Sequence, residues 1–260
     1  MHILALPAFR DNYIWMIHDT RSALVVDPGD AAVVTAACAA GGAQPQGLRL
    51  AGILVTHHHP DHTGGIAALL RQTPVPVWGP QAEDIGGVSQ SVRGGDTVHV
   101  PALGLDWHVL DVPGHTLGHI AFHCASLGVL LCGDTLFSAG CGRLFEGTAE
   151  QMLQSLDRLA ALPAHTQVLC AHEYTLGNLQ FARSVDADNA RIEAYQAWCA
   201  RQRASGMPTL PSTIGRELEV NPFLRCEQPG ILAQLQQHFG RMPADRVETF
   251  AMLRQWKNDF

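Results

Sequence analysis

Four histidines and an aspartate crowd into the heptapeptide Thr56-His57-His58-His59-Pro60-Asp61-His62, directly after the apolar run Leu50-Ala51-Gly52-Ile53-Leu54-Val55. That run predicts a buried strand, and Thr63-Gly64-Gly65-Ile66-Ala67-Ala68-Leu69-Leu70-Arg71 predicts the first turns of a helix. The cluster is therefore placed on a strand-to-helix loop at the carboxyl edge of a sheet, where open α/β folds put their sites. Neutral imidazole and carboxylate suit zinc, iron or manganese. His57 and His59 alternate across one residue and can point the same way from an extended segment, while Asp61 and His62 stand at the helix start and can reach a second ion. A solvated histidine-rich tract is the bland alternative, but flanking strand and helix fix this loop in space.

The composition is 47% hydrophobic against 16% charged, which gives a globular chain with enough apolar material for a sizeable core. No apolar run approaches a membrane span, and no basic and apolar leader follows Met1. Seven cysteines without a C-x-x-C pair read as reduced, mostly buried thiols of a cytoplasmic protein. A formal net charge of -7 disfavours nucleic acid, since phosphate binding needs a basic face. It leaves room for a small anionic substrate held by local cations. A monomer is expected.

Short strands are predicted at 2–6, 13–18 and 23–26, the last ending in Asp27-Pro28-Gly29-Asp30. Asp27 is either a brace for a ligand imidazole or an ordinary turn residue. A helix is expected over 31–40, a strand at 74–78, and a loop over 79–95. Strands return at 97–100, 105–111, 119–123 and 128–132. An amphipathic helix spans 148–161 and a strand 167–170. From residue 176 on only helices are expected (176–184, 189–204, 230–239 and 244–257), with 206–225 an irregular connection. This divides the chain into a mixed α/β part, 1–171, and a helical part, 172–260. His115, Asp134 and His172 each stand just past a predicted strand, so they can join the histidine loop at one sheet edge.

Together, Thr56-His57-His58-His59-Pro60-Asp61-His62, Pro113-Gly114-His115-Thr116-Leu117-Gly118-His119, Gly133-Asp134-Thr135 and His172 resemble the metallo-β-lactamase superfamily. Phe137-Ser138-Ala139-Gly140-Cys141-Gly142-Arg143-Leu144-Phe145-Glu146-Gly147 is similar to the substrate loop of glyoxalase II, the hydroxyacylglutathione hydrolases. So are Ala171-His172-Glu173-Tyr174-Thr175, Asn221-Pro222-Phe223-Leu224-Arg225 and Leu253-Arg254-Gln255-Trp256-Lys257. The resemblance implies an α/β fold, a four-layer αββα sandwich, with a C-terminal all-helical substrate-binding domain. It implies two divalent ions, zinc foremost with iron or manganese open to the second site. His57, His59 and His115 would hold one, Asp61, His62 and His172 the other, and Asp134 would bridge them.

The activity implied is hydrolysis of S-(2-hydroxyacyl)glutathione, S-D-lactoylglutathione foremost, to glutathione and D-lactate in methylglyoxal detoxification. A bridging hydroxide would attack the thioester carbonyl, with Asp61 and Asp134 as catalytic carboxylates. Arg143, Phe145, Tyr174, Arg254 and Lys257 would bind the glutathionyl part. Relatives often carry Lys and Tyr where this chain has Arg143 and Phe145; Arg keeps the cation, while Phe145 has no hydroxyl to donate. Without the resemblance, Arg254 and Lys257 near a terminus read as a solvated helix face. His58 and His119 are expected to brace or pack. Cys132 and Cys141 lack a paired histidine and read as packed thiols. Two rivals stand: a persulfide dioxygenase-like iron enzyme of the same fold, and a metal-stabilised binding module without catalysis.

Overall fold

The computed structural model describes Met1–Phe260, in two compact units. The first comprises residues 1–111 and 118–133, the second 112–117 and 134–260.

In the first unit, β1 (His2–Ala8), β2 (Asn12–His18) and β3 (Ser22–Val26) form an antiparallel meander. Helix α1 (Ala31–Cys38) then crosses to β4 (Arg49–Leu54), which pairs parallel to β3. Helices α2 (Pro60–Thr63) and α3 (Ile66–Gln72) lead to β5 (Val77–Pro80) and β6 (Gln90–Val92), both added in parallel. β2 and β3 are buried along their whole length, as central strands covered on both faces must be. Ile14, Met16, Val25, Ile53 and Val55 form one core with Val34 of α1 and Ile66 and Leu69 of α3. The unit also contains a four-stranded antiparallel meander: β7 (Thr97–Val100), β8 (Leu105–Asp111), β9 (Ile120–Cys124) and β10 (Val129–Gly133). β8 alternates: Leu105, Trp107 and Val109 are buried, while Asp106 and His108 face water.

The parallel pairing of β3 and β4 brings their carboxyl ends side by side, so Asp27 lies against Thr56. Asp27 itself has φ 51°, a left-handed backbone that Asp tolerates better than most residues. Gly29 follows in a turn packed so tightly that a Cβ there would stand 1.9 Å from the Asp61 carbonyl oxygen.

The second unit opens with a small hairpin, β11 (Leu136–Phe137) and β12 (Gly140–Cys141). Helix α4 (Ala149–Ala160) follows, closed at its start by a capping box between Thr148 and Gln151. β13 (Gln167–Cys170) leads to α5 (Thr175–Val185) and α6 (Ala190–Ala204). β14 (Ser212–Thr213) pairs antiparallel with β13, and α7 (Ile214–Val220), α8 (Pro229–Phe239) and α9 (Arg246–Asp259) complete the chain. The paired guanidinium and carboxylate of Arg246 and Asp157 tie the first turn of α9 to α4. No helix is long and apolar enough to cross a membrane.

Five elements depart from the sequence reading, among them β11 and β12, whose two residues each are too few for an alternation to show. β6 lies in the expected loop 79–95, because only Val92 of its three residues is buried and so no apolar run marks it. α7 and β14 lie in the expected irregular stretch 206–225. α7 is too short to display a period, and one of its buried positions is a glutamate, Glu217.

α4 also fixes the loop 112–117. Ser155 Oγ donates to the Pro113 carbonyl at 2.7 Å. Gly114 has φ 151°, and a Cβ there would stand 2.7 Å from Met152 Cβ and 2.9 Å from its Cα. Gly114→Ala is therefore expected to push the loop off α4 and to lower the unfolding free energy by about 1–3 kcal/mol, checked by urea denaturation. Unchanged stability would mean that the loop does not lean on α4.

Candidate metal centre and substrate cavity

In the first unit the histidine loop is oriented from below by Asp27. Its carboxylate accepts from the Thr56 backbone N–H and from the Thr56 hydroxyl, both at 2.8 Å. With its proton given to Asp27, the Thr56 oxygen accepts from His57 Nδ1 at 3.0 Å. The His57 proton is thereby held on Nδ1, and Nε2 presents its lone pair 3.0 Å from His59 Nδ1. His57 is fully buried; its ring stacks on His119 at 4.6 Å and lies 4.1 Å from the ring of His62. Asp27 also stands 3.1 Å from His62 Nδ1, which turns His62 Nε2 toward Asp61 Oδ2 at 3.4 Å. Asp61 Oδ2 in turn accepts from Asn12 Nδ2 at 2.9 Å. His58 takes a different partner, Glu83, at 3.0 Å. So Asp27 is a brace, and His58 and His119 support the loop, as expected of them.

In the second unit His115, Asp134 and His172 come together. His115 Nδ1 lies 2.9 Å from the Arg143 carbonyl oxygen, which can only accept, so the proton sits on Nδ1. The lone pair of His115 Nε2 then faces Asp134 Oδ2 at 3.4 Å, and His172 Nε2 faces Asp134 Oδ1 at 3.4 Å. A lone pair directed at a carboxylate oxygen is repulsive unless a cation lies between them. The donor set thus fits a divalent cation held by imidazole and carboxylate.

The loop 143–147 is knitted to the ligand loop by backbone bonds. Phe145 N–H donates to the His115 carbonyl at 3.2 Å, and Gly147 N–H to the Gly114 carbonyl at 3.1 Å. The Phe145 ring stands edge-on to the His115 imidazole at 5.2 Å. Tyr174 stacks flat on His172 at 4.7 Å, and Phe137 packs edge-on against both.

These groups border a cavity of about 630 Å³ within the second unit. Arg143, Phe145, Tyr174, Arg254 and Lys257 line it together with His115 and Asp134. Arg254 is not on a solvated face: it is 6% exposed, donates to the Cys141 carbonyl at 2.8 Å and lies over the Phe223 ring. Lys257 donates to the Gly177 carbonyl at 3.2 Å. Burial, then the positive charges of Arg254 and Arg143, hold its pKa below the usual lysine value. Cys141 also lines the cavity, and burial raises its thiol pKa, so it is a packed wall rather than a nucleophile.

Residues that sequence reasoning passed over are Asn12, Phe137, Asn178 and Glu173. Asn12 was foreshadowed only by being a polar residue opening a buried strand; Phe137 and Glu173 lie within the family-like stretches without being singled out, and Asn178 carries no local signal. Glu173 borders the cavity but accepts from Thr209 N–H at 2.8 Å.

Residues 8–88 and 89–172 match the metallo-β-lactamase superfamily, and residues 173–260 match the hydroxyacylglutathione hydrolase C-terminus. The chain is 53% identical over 263 residues to a hydroxyacylglutathione hydrolase of Albidiferax ferrireducens, covering 100% of both chains. It is 48% identical over 258 residues to one of Nitrosomonas eutropha, covering 99% of this chain and 98% of that one. The chain belongs to the hydroxyacylglutathione hydrolase family. The fold agrees: the crystal structure of ETHE1 from Myxococcus xanthus superposes with a TM-score of 0.63 at 23% identity, covering 99% of this chain and 100% of that one.

This family of thioester hydrolases has the metallo-β-lactamase fold with a C-terminal helical region, as the sequence motifs imply. Fold and His/Asp donor groups together imply divalent metal binding. In this hydroxyacylglutathione hydrolase Asp27 touches Thr56 and His62 directly, so Asp27→Ala removes the brace from two imidazoles at once. Metal affinity is expected to fall about 10–100-fold, read by competition with a chromogenic chelator. Wild-type affinity in that variant would reduce Asp27 to a turn residue.

Proposed function

We propose that this enzyme hydrolyses S-(2-hydroxyacyl)glutathione, S-D-lactoylglutathione foremost, to glutathione and the 2-hydroxy acid. The observation that carries the reading is the cavity in which three cationic side chains and three aromatic rings share walls with His115 and Asp134. Glutathione brings two carboxylates, so its site needs cations; its acyl thioester must lie beside the metal ligands. Arg143 and Arg254 supply planar forks suited to carboxylate, and Lys257 a point charge. Phe145 gives its ring alone, set against His115, so no hydroxyl contact arises there.

Two ions are proposed, zinc foremost, with iron or manganese also compatible with the second. His57, His59 and His115 would hold one, Asp61, His62 and His172 the other, and Asp134 both. When bound, such a pair supplies Lewis acidity and a water that ionises near neutral pH. The protein's own part is orientation and proton handling. Asp61, whose Oδ2 accepts from Asn12, would orient the attacking water and receive its proton. The protons pinned on Nδ1 of His57 and His115 leave each Nε2 lone pair free for an ion, and an imidazole bound in that way adds no charge that would blunt the ion's electrophilicity. The departing thiolate, with a pKa near ~8.5 by analogy with cysteine, leaves without a general acid.

Purified protein should cleave S-D-lactoylglutathione with loss of thioester absorbance, and Asp134→Ala should lower turnover by at least about a thousandfold together with bound metal. Thioester cleavage indifferent to metal removal would overturn the reading. Oxygen uptake with glutathione persulfide would favour the dioxygenase instead. Arg254→Ala with Lys257→Ala should raise KM about 10–100-fold with kcat little changed, the cost of two lost charge-assisted contacts.

Lys257 also sets an alkaline limb. Its charged form binds carboxylate, so affinity is full below its lowered pKa and declines as pH rises through it, ahead of an ordinary lysine. Lys257→Arg should flatten that rise in KM, and a limb unmoved by the change would assign it elsewhere.

A further inference from the structure

Glu217 is fully buried in α7, and no step above uses it. Its Oε2 accepts from the Ala139 backbone N–H at 2.7 Å and from Asn221 Nδ2 at 3.1 Å. Its Oε1 accepts from the hydroxyls of Ser138, at 3.0 Å, and Ser212. All four donors converge on one carboxylate whose pKa burial raises and these bonds lower. Asn221, at the end of the same helix, shares its two amide protons between Glu217 and the Phe137 and Gly140 carbonyls, the latter at 3.1 and 2.9 Å. Asn178 donates to the Ser138 carbonyl at 3.0 Å. The Ser138 hydroxyl and carbonyl, the Ala139 N–H and the flanking Phe137 and Gly140 carbonyls are thus all held from α7, its C-cap Asn221 or α5.

The grip has something to hold. Ala139 has φ 55°, a left-handed backbone that a residue with a Cβ adopts only under constraint. On either side of it stand Phe137 and Cys141, both lining the cavity, and the Cys141 carbonyl is the acceptor that seats Arg254. Arg143 follows two residues on. A turn relaxed to ordinary φ would shift this wall and unseat the buried guanidinium.

We infer that Glu217 is a positioning residue for the glutathionyl subsite: with Asn221 it clamps the Ser138-Ala139 turn and so sets the cavity wall that carries Phe137, Cys141 and Arg254. The subsite is that of the function proposed above. Glutamine in place of Glu217 keeps one carbonyl oxygen for the Ala139 and Asn221 N–H groups and turns its amide toward hydroxyls, which can accept. Alanine offers no acceptor at all.

The test uses the metal-loaded full chain and S-methylglutathione, a thioether that cannot be hydrolysed, with binding read by calorimetry. Amide hydrogen exchange over 136–141 is followed in parallel. Glu217→Ala should weaken binding about tenfold, speed exchange over 136–141 selectively, and leave bound metal unchanged; Glu217→Gln should restore both toward wild type. Exchange over 136–141 at the wild-type rate in Glu217→Ala overturns the inference. So does faster exchange spread over the whole second unit with no recovery in Glu217→Gln, which would be a merely structural role. If Glu217→Ala does not fold, Asn221→Ala, which withdraws two bonds to the same turn and one to Glu217, must give the selective pattern or the inference falls. Should the parent protein neither bind the probe nor cleave the thioester, the functional reading is lost, while the exchange comparison still decides the clamp.

Discussion

An imidazole at neutral pH has two nitrogens and one proton, so whatever holds that proton decides what the other nitrogen can offer. In this chain the choice is made by groups that are themselves committed. The Thr56 hydroxyl takes the His57 proton because its own hydrogen is engaged by Asp27. The Arg143 carbonyl takes the His115 proton because a carbonyl can do nothing else. Both choices leave Nε2 as a donor of electrons. They depend in turn on backbone features remote from the rings: the parallel pairing of β3 and β4, the left-handed Asp27, and the bonds that lay the 143–147 loop on residues 114 and 115. The fold's work is to settle tautomers in advance.

The cavity shows a second kind of preparation. The chain as a whole is acidic, with a formal net charge of -7, yet three cations border one space. Burying Arg254 costs desolvation, offset by a carbonyl acceptor and the face of Phe223. Burial, and then the like charges nearby, leave Lys257 less willing to keep its proton.

Much of this was legible in the sequence. The histidine loop, the acids and imidazoles after strand ends, and the amphipathic helix after residue 147 are local signals, and strand alternation correctly separated His57 and His59 from His58. Those signals are physical ones: a period, a turn, a ligand spacing. What escaped was set by tertiary partners. Arg254 looks solvated in sequence and is buried because Cys141, 113 residues earlier, offers it a carbonyl. α7 was missed because a buried glutamate contradicts the apolar pattern of a core helix, and only the loop it grips explains its place. β6 joins an edge through backbone bonds alone, which leave no side-chain signature.

One consequence lies in the cysteines. None forms a disulfide, and six of the seven are buried. Burial raises the Cys199 and Cys226 thiols to about 12 and moves Cys170 upward as well. Only a thiolate attacks sulfur, so these side chains hold a negligible reactive fraction at neutral pH. A thioester hydrolase releases a free thiol at every turnover. With six of its seven sulfurs held as thiols in the interior, the chain is a poor partner for exchange and those six are shielded from mixed disulfides with a released thiol.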